Sequence, residues 1–82
     1  MTDQPAALRQ HLGPNLADLL STDAQRADAL AVFGLIAAAD GPDIARAWMV
    51  GMNPELDDQA PLLVIRDGDT AAVLAAAHFY LT

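Results

Sequence analysis

The stretch from Trp48 to Leu74, WMVGMNPELDDQAPLLVIRDGDTAAVL, decides the fold, because its Gly, Asn, Asp and Pro residues fall where helices start and stop. Gly51 weakens the end of the segment carrying Trp48. Asn53 can cap a new turn with Pro54 at its first position, Glu55 beside the positive end and Leu56 as an apolar anchor. Asp57-Asp58-Gln59 is a polar connector, and Pro61 opens the next segment, LLVIR, which ends at Asp67-Gly68. β-Branching would allow that segment to be a strand, whereas its flanking Pro and Gly favour a short helix. A helix is expected, since a lone strand would have no partner elsewhere in the chain. Asp69 then caps a last helix, Thr70 to Leu81, with Val73, Leu74, Ala77 and Leu81 on its buried side and His78, Phe79 and Tyr80 giving it a bulky end.

Working outward, Pro42 and Asp43 start the helix that contains Trp48. Ile44 and Trp48 stand at i and i+4, so Trp48 is expected to point into the core. Asp40-Gly41-Pro42 stops a longer helix that begins at Thr22, where Gln25 three residues on completes a capping-box pattern and Asp23 complements the helix dipole. Arg26 and Asp28 are expected to face outward. From Leu30 to Ala39 this helix is apolar on every side, and such a helix must be covered on every side. Two covers are open: the rest of the domain around a central core helix, or a second copy packed along the small residues Ala31, Gly34 and Ala38. Nearer the N-terminus, Thr2 or Asp3 caps a first helix with Pro5 in its first turn and Gly13 past its end. Pro14 opens a short second one, Asn15 to Leu20. The expectation is a single all-α domain over 1–82, a small bundle of about five to six short helices, dimeric.

A domain of 82 residues buries only about 60 to 65% of its unfolded surface, so a second copy or another partner would help its core. Eleven carboxylates stand against four Arg and no Lys, a net charge of −7. That sign is wrong for neutralising phosphates, so no nucleic-acid partner is expected; it suits solubility or a basic cleft on another protein. With no Cys, disulfides and thiolate metal sites are excluded. The N-terminus MTDQPAALRQHL lacks the basic and apolar regions of a signal peptide. The longest apolar run, Leu30 to Ala39, is far short of the roughly 20 residues that span a bilayer. A soluble, cytoplasmic protein without membrane contact is expected.

Catalytic and metal-binding patterns are missing from the sequence. His11 and His78 are far apart, with no second His at metal spacing. Asp67-Gly68-Asp69 looks like part of a calcium loop, but its Gly comes too early and no Glu closes the loop. The glycines are dispersed, without a phosphate-cradling cluster, and Asp57 and Asp58 read as a solvated loop. A non-enzyme without cofactors is expected.

The run Ala47-Trp48-Met49, then Asn53-Pro54-Glu55-Leu56, Pro61, Ile65-Arg66-Asp67-Gly68-Asp69 and Val73-Leu74 resembles the C-terminal toxin-binding domain of the Xre, MbcA and ParS antitoxins. The resemblance covers the chain from Asp40 onward and the preceding helix more loosely. It implies a helical, commonly dimeric bacterial domain that neutralises a RES-domain toxin, an enzyme that consumes NAD. On that basis 22–82 is a toxin-binding-domain-like core and 1–21 the remnant of a helix-turn-helix region. No room for a recognition helix remains between Leu20 and Thr22, so operator binding is expected to be lost. Family members also run a few residues beyond the last helix and reach into the toxin's NAD cleft, whereas this sequence stops at Thr82.

Within the motif, Trp48, Asn53, Pro54, Leu56, Pro61 and Gly68 are expected to specify the fold. Arg66, Asp67 and Asp69 at the bend, with His78, Phe79, Tyr80, Leu81 and Thr82 at the end, are the expected partner contacts, Tyr and Arg being favoured hot-spot types. The alternative is a regulatory protein or adaptor that pairs with a full-length antitoxin through Leu30 to Ala39, or binds an unrelated protein.

Overall fold

The computed structural model describes residues 20–82. The chain is mostly helical. The described residues form four α-helices, α1 (Asp23–Asp40), α2 (Pro42–Val50), α3 (Pro61–Arg66) and α4 (Thr70–Leu81), with a 3₁₀ turn (Pro54–Leu56) between α2 and α3. Two further helices expected near the N-terminus, and the helix-turn-helix remnant, fall on residues 1–21 and so lie almost wholly outside the described residues.

Each helix end has a local cause. The Thr22 hydroxyl accepts the Gln25 amide at 3.1 Å and so caps α1. The reciprocal half of the box is displaced by one residue: Gln25 Oε1 accepts the amide of Ser21 at 2.9 Å, not that of Thr22. Gly41, at φ +95°, closes α1 through its amide to the Ala37 carbonyl and also supplies the carbonyl that accepts the first bond of α2. Only glycine adopts that conformation without strain. At the end of α3, Gly68 at φ +96° donates to Ile65 O, and Asp69 donates to Val64 O. This 5→2 and 6→1 pair is a Schellman stop. Asp69 then accepts the Ala72 amide at 3.2 Å and starts α4, as its position in the sequence implies.

The core gathers Val32, Phe33 and Ile36 of α1, Ala45 and Met49 of α2, Leu56 of the turn, Leu62 and Ile65 of α3, and Val73 with Ala77 of α4. Helix α1 packs most extensively on α2 and also touches α3 and α4. Two side-chain bonds fix the α1–α4 pair: Thr70 Oγ1 donates to Asp28 at 2.9 Å, and Tyr80 OH donates to Asp40. The start of α4 therefore lies beside Asp28 and its end beside Asp40, so the two helices run parallel.

Three expectations about faces need correction. Helix α2 buries Ala45 and Met49, while Ile44 is exposed and Trp48 only partly buried. The helix is rotated by one residue, about 100°, because the slim Met49 enters the core and the broad indole stays at its edge. Likewise α4 buries Val73, Ala76 and Ala77, leaving Leu74 and Leu81 exposed. Arg26 and Asp28 turn inward: Arg26 donates to the Leu20 carbonyl at 3.0 Å and pairs with Asp23, and Asp28 accepts from Thr70. The described residues leave one strip of α1 uncovered, at Ala31, Gly34, Leu35 and Ala38, the strip along which a second copy is one of the two expected covers.

Candidate protein-binding surface

Residues 53–59 form a pinched loop that sets one wall of the site. Asn53, buried, accepts the Glu55 amide on Oδ1 at 2.9 Å, and its carbonyl accepts the amides of Leu56 and Asp58. An antiparallel bridge to Gln59 closes the loop. The closure holds Asp57 and Asp58 at φ 56° and 64°, a left-handed pair that Asp tolerates better than most residues. Leu56 points into the core while Glu55, Asp57 and Asp58 are held outward.

Across from this loop lies the end of α4. An open groove of about 440 Å³ runs between them, walled by Trp48, Met52, Asn53, Pro54, Phe79 and Tyr80, with Ala76 also on its lining. The rings of Trp48 and Tyr80 stand 6.1 Å apart and tilted by 55°, a favourable aromatic arrangement. Met52 is 83% exposed and Phe79 66% exposed. Burying a side chain of this size contributes about 1.5 to 3 kcal/mol, so a clustered pair left in water marks a contact site more than a scattered apolar residue does.

Beside the groove is a smaller hollow of about 270 Å³, bordered by Asp57, Asp67, Asp69, Ala72 and Val64. Glu55 lines both. Ala72 and Ala76, one helical turn apart on α4, lie in the hollow and the groove respectively. The two concavities thus adjoin at Glu55, with acidic groups toward the start of α4 and aromatic groups toward its end.

The expected contact residues divide between these ends. Arg66, Asp67 and Asp69 are exposed at the α3–α4 bend, and Arg66 Nε lies 3.5 Å from Asp67. Phe79 and Tyr80 enter the groove. His78, Leu81 and Thr82 are exposed on the end of α4 outside the groove lining, and Thr82 folds back to donate to the carbonyls of His78 and Phe79. Of the motif residues, Leu56 and Pro61 are buried, Gly68 makes the α3 stop, and Trp48, Asn53 and Pro54 do double duty as fold determinants and groove walls. Met52, Glu55, Ala72 and Ala76 were not expected here. Met52 carried an available signal, an unbranched apolar residue just past Gly51 and four residues beyond Trp48, in line with Ile44 and Trp48.

The bond from Tyr80 to Asp40 raises the Tyr80 hydroxyl above its ordinary pKa, with lesser contributions from desolvation and the Asp40 charge. Among the described residues, no group of three or more His, Cys, Asp and Glu could hold a metal ion, and no helix is long and apolar enough to cross a membrane. Comparison with protein-family models, curated proteins and solved structures finds no match.

Proposed function

We propose that the chain is a protein-binding module of the antitoxin kind. It neutralises a RES-type, NAD-degrading toxin by setting the aromatic end of α4 and the acidic bend before it against the toxin. One observation supports this reading above others: Phe79 and Met52 stand largely exposed around a groove walled by Trp48 and Tyr80, the composition of a protein contact with aromatic anchors. The motif residues on which the antitoxin resemblance rests, Trp48, Asn53 and Pro54, form that same wall. The module works in the cytoplasm, without catalysis, cofactor or DNA contact. Co-expression with RES-domain toxins encoded beside such genes tests it. The expected result is restored growth and NAD level and a co-purifying complex; neither rescue nor complex from any neighbouring toxin would sink the reading.

A second reading has its own support in the open strip of α1. No atom lies within 4 Å of a Cβ built on Gly34, and Ala31, Leu35 and Ala38 are exposed around it, so another helix could approach closely. Through this strip the chain would form a homodimer or pair with a full-length antitoxin and alter its operator binding. Native mass spectrometry of the chain alone and mixed with such an antitoxin distinguishes the two, and monomers in both samples would dismiss both.

A further inference from the structure

We propose that the aromatic groove and the acidic hollow beside it are one docking channel, and that its occupant is a basic amphipathic segment of another protein. The inference rests on the protein-binding reading above but not on the toxin's identity.

Charge and shape both point to such a segment. The hollow is bordered by Glu55, Asp57, Asp67 and Asp69, and among the described residues no Lys, Arg or His lines either concavity. Among the described residues, Arg66 is the cation at this end and it is held by Asp67. Glu55 and Asp57 have no cationic partner within salt-bridge distance among the described residues, so their charges face solvent and would favour an arriving arginine or lysine. The pinched loop holds these carboxylates in place before binding, which lowers the ordering cost. At the other end the groove offers aromatic and methionine walls to a bulky apolar anchor. Between them the stripe of α4 carries two small residues, the partly exposed Ala72 and, at the groove floor, the buried Ala76. From Asp69 to Tyr80 the stripe spans roughly 16 Å at about 1.5 Å per residue, so a helical occupant would carry its anchor and its cations about three turns apart. A second copy of this chain, at net charge −7, would bring like charge to the hollow.

Trp48 is the one tryptophan of the chain and it lines the groove, so its emission reports occupancy directly. The probe is a synthetic amphipathic helical peptide of leucine and arginine, free of aromatic residues and blocked at both ends. It is compared with versions in which every arginine is glutamate or every leucine is serine. The expected result is a saturable change in Trp48 emission with the leucine-arginine peptide and at least tenfold weaker binding of both controls. Phe79→Ser and Glu55→Lys, both at exposed positions, should each weaken it at least tenfold, with circular dichroism showing an unchanged fold. An equal response to the glutamate peptide, to the serine peptide, or in Phe79→Ser would overturn the proposal.

Two other occupants would also overturn it. A concentration-dependent Trp48 change without peptide, lost in Phe79→Ser, would seat a second copy in the channel. Nuclear Overhauser contacts from the Trp48 ring to Leu8 or Leu12 in the free protein would seat the chain's own first residues there. Toxin rescue with no peptide response removes the channel and leaves the antitoxin reading; a peptide response with no rescue does the reverse.

Discussion

The Tyr80 hydroxyl donates to the Asp40 carboxylate and ties the last turn of α4 to the last residue of α1. The bond also fixes the Tyr80 ring against Trp48, so one wall of the aromatic groove is set by a contact between residues forty positions apart.

That bond gives stability an alkaline dependence. The folded state holds the phenolic proton more tightly than the unfolded chain does, because the pKa is raised from the usual value of about 10. Its contribution is therefore fully present below about pH 10 and is lost as the pH climbs from there through the raised folded value. Tyr80 is the one tyrosine in the chain, so ultraviolet titration of phenolate reads it alone and should give a midpoint above that of the urea-unfolded protein. Tyr80→Phe should be less stable than wild type at neutral pH and should lose this part of the alkaline decline in urea unfolding. Parallel curves for the two proteins up to the most alkaline point would show that the bond does not matter in solution.

Gln25 does two jobs that a sequence pattern assigns to one. Its Oε1 accepts from Ser21, while its Nε2 donates to the Arg66 carbonyl at 2.9 Å, one of the orphan acceptors at the end of α3. Glutamate is the commoner capping-box partner, yet here it would turn a carboxylate toward a carbonyl. Gln25→Glu should thus cost about 0.5 to 1.5 kcal/mol, at least as much as Gln25→Ala, in chemical denaturation at neutral pH. A more stable Gln25→Glu would show that the Arg66 contact is dispensable.

The stops and caps could be read in the sequence because they are local chemistry: Thr22, Gly41, Asn53, Gly68 and Asp69 act within a few residues of themselves. The faces were harder. In TAAVLAAAHFYL every side of the helix is apolar, so periodicity could not separate Val73 and Ala77 from Leu74 and Leu81. In α2 the choice between Trp48 and Met49 turned on which side chain fits the core that α1, α3 and α4 leave open, which is a tertiary fact. The groove was less legible still. Met52 lies in the link after α2, Glu55 in the 3₁₀ turn and Ala76 in α4, and only the packing of that link and turn on α4 brings them together.

Two methionines three residues apart should behave oppositely. Met49 is fully buried and Met52 is 83% exposed. Met49→Ala should cost about 2 to 5 kcal/mol, a large share of the roughly 4 to 12 kcal/mol available at about 0.05 to 0.15 kcal/mol per residue. Met52→Ala should stay within about 0.5 kcal/mol. Thermal unfolding of both variants checks this, and similar losses would mean that Met52 is covered in solution.

Gly34 inside α1 and Gly41 just past its end make the sharpest contrast, since neither has a neighbouring atom within 4 Å of an added Cβ. Space alone predicts that alanine is harmless at both. Gly34 lies inside a regular helix, where alanine is favoured by about 1 kcal/mol, whereas Gly41 sits at φ +95° and ψ 163°, an extended positive-φ conformation where a side chain costs roughly 1 to 3 kcal/mol. Gly34→Ala should raise the unfolding midpoint and Gly41→Ala should lower it. The same pair tests the open strip of α1. If copies associate closely through Gly34, the added methyl would push their backbones apart, and Gly34→Ala would lower the midpoint in a concentration-dependent way. A concentration-independent rise would leave that strip uncovered and the domain monomeric through this face.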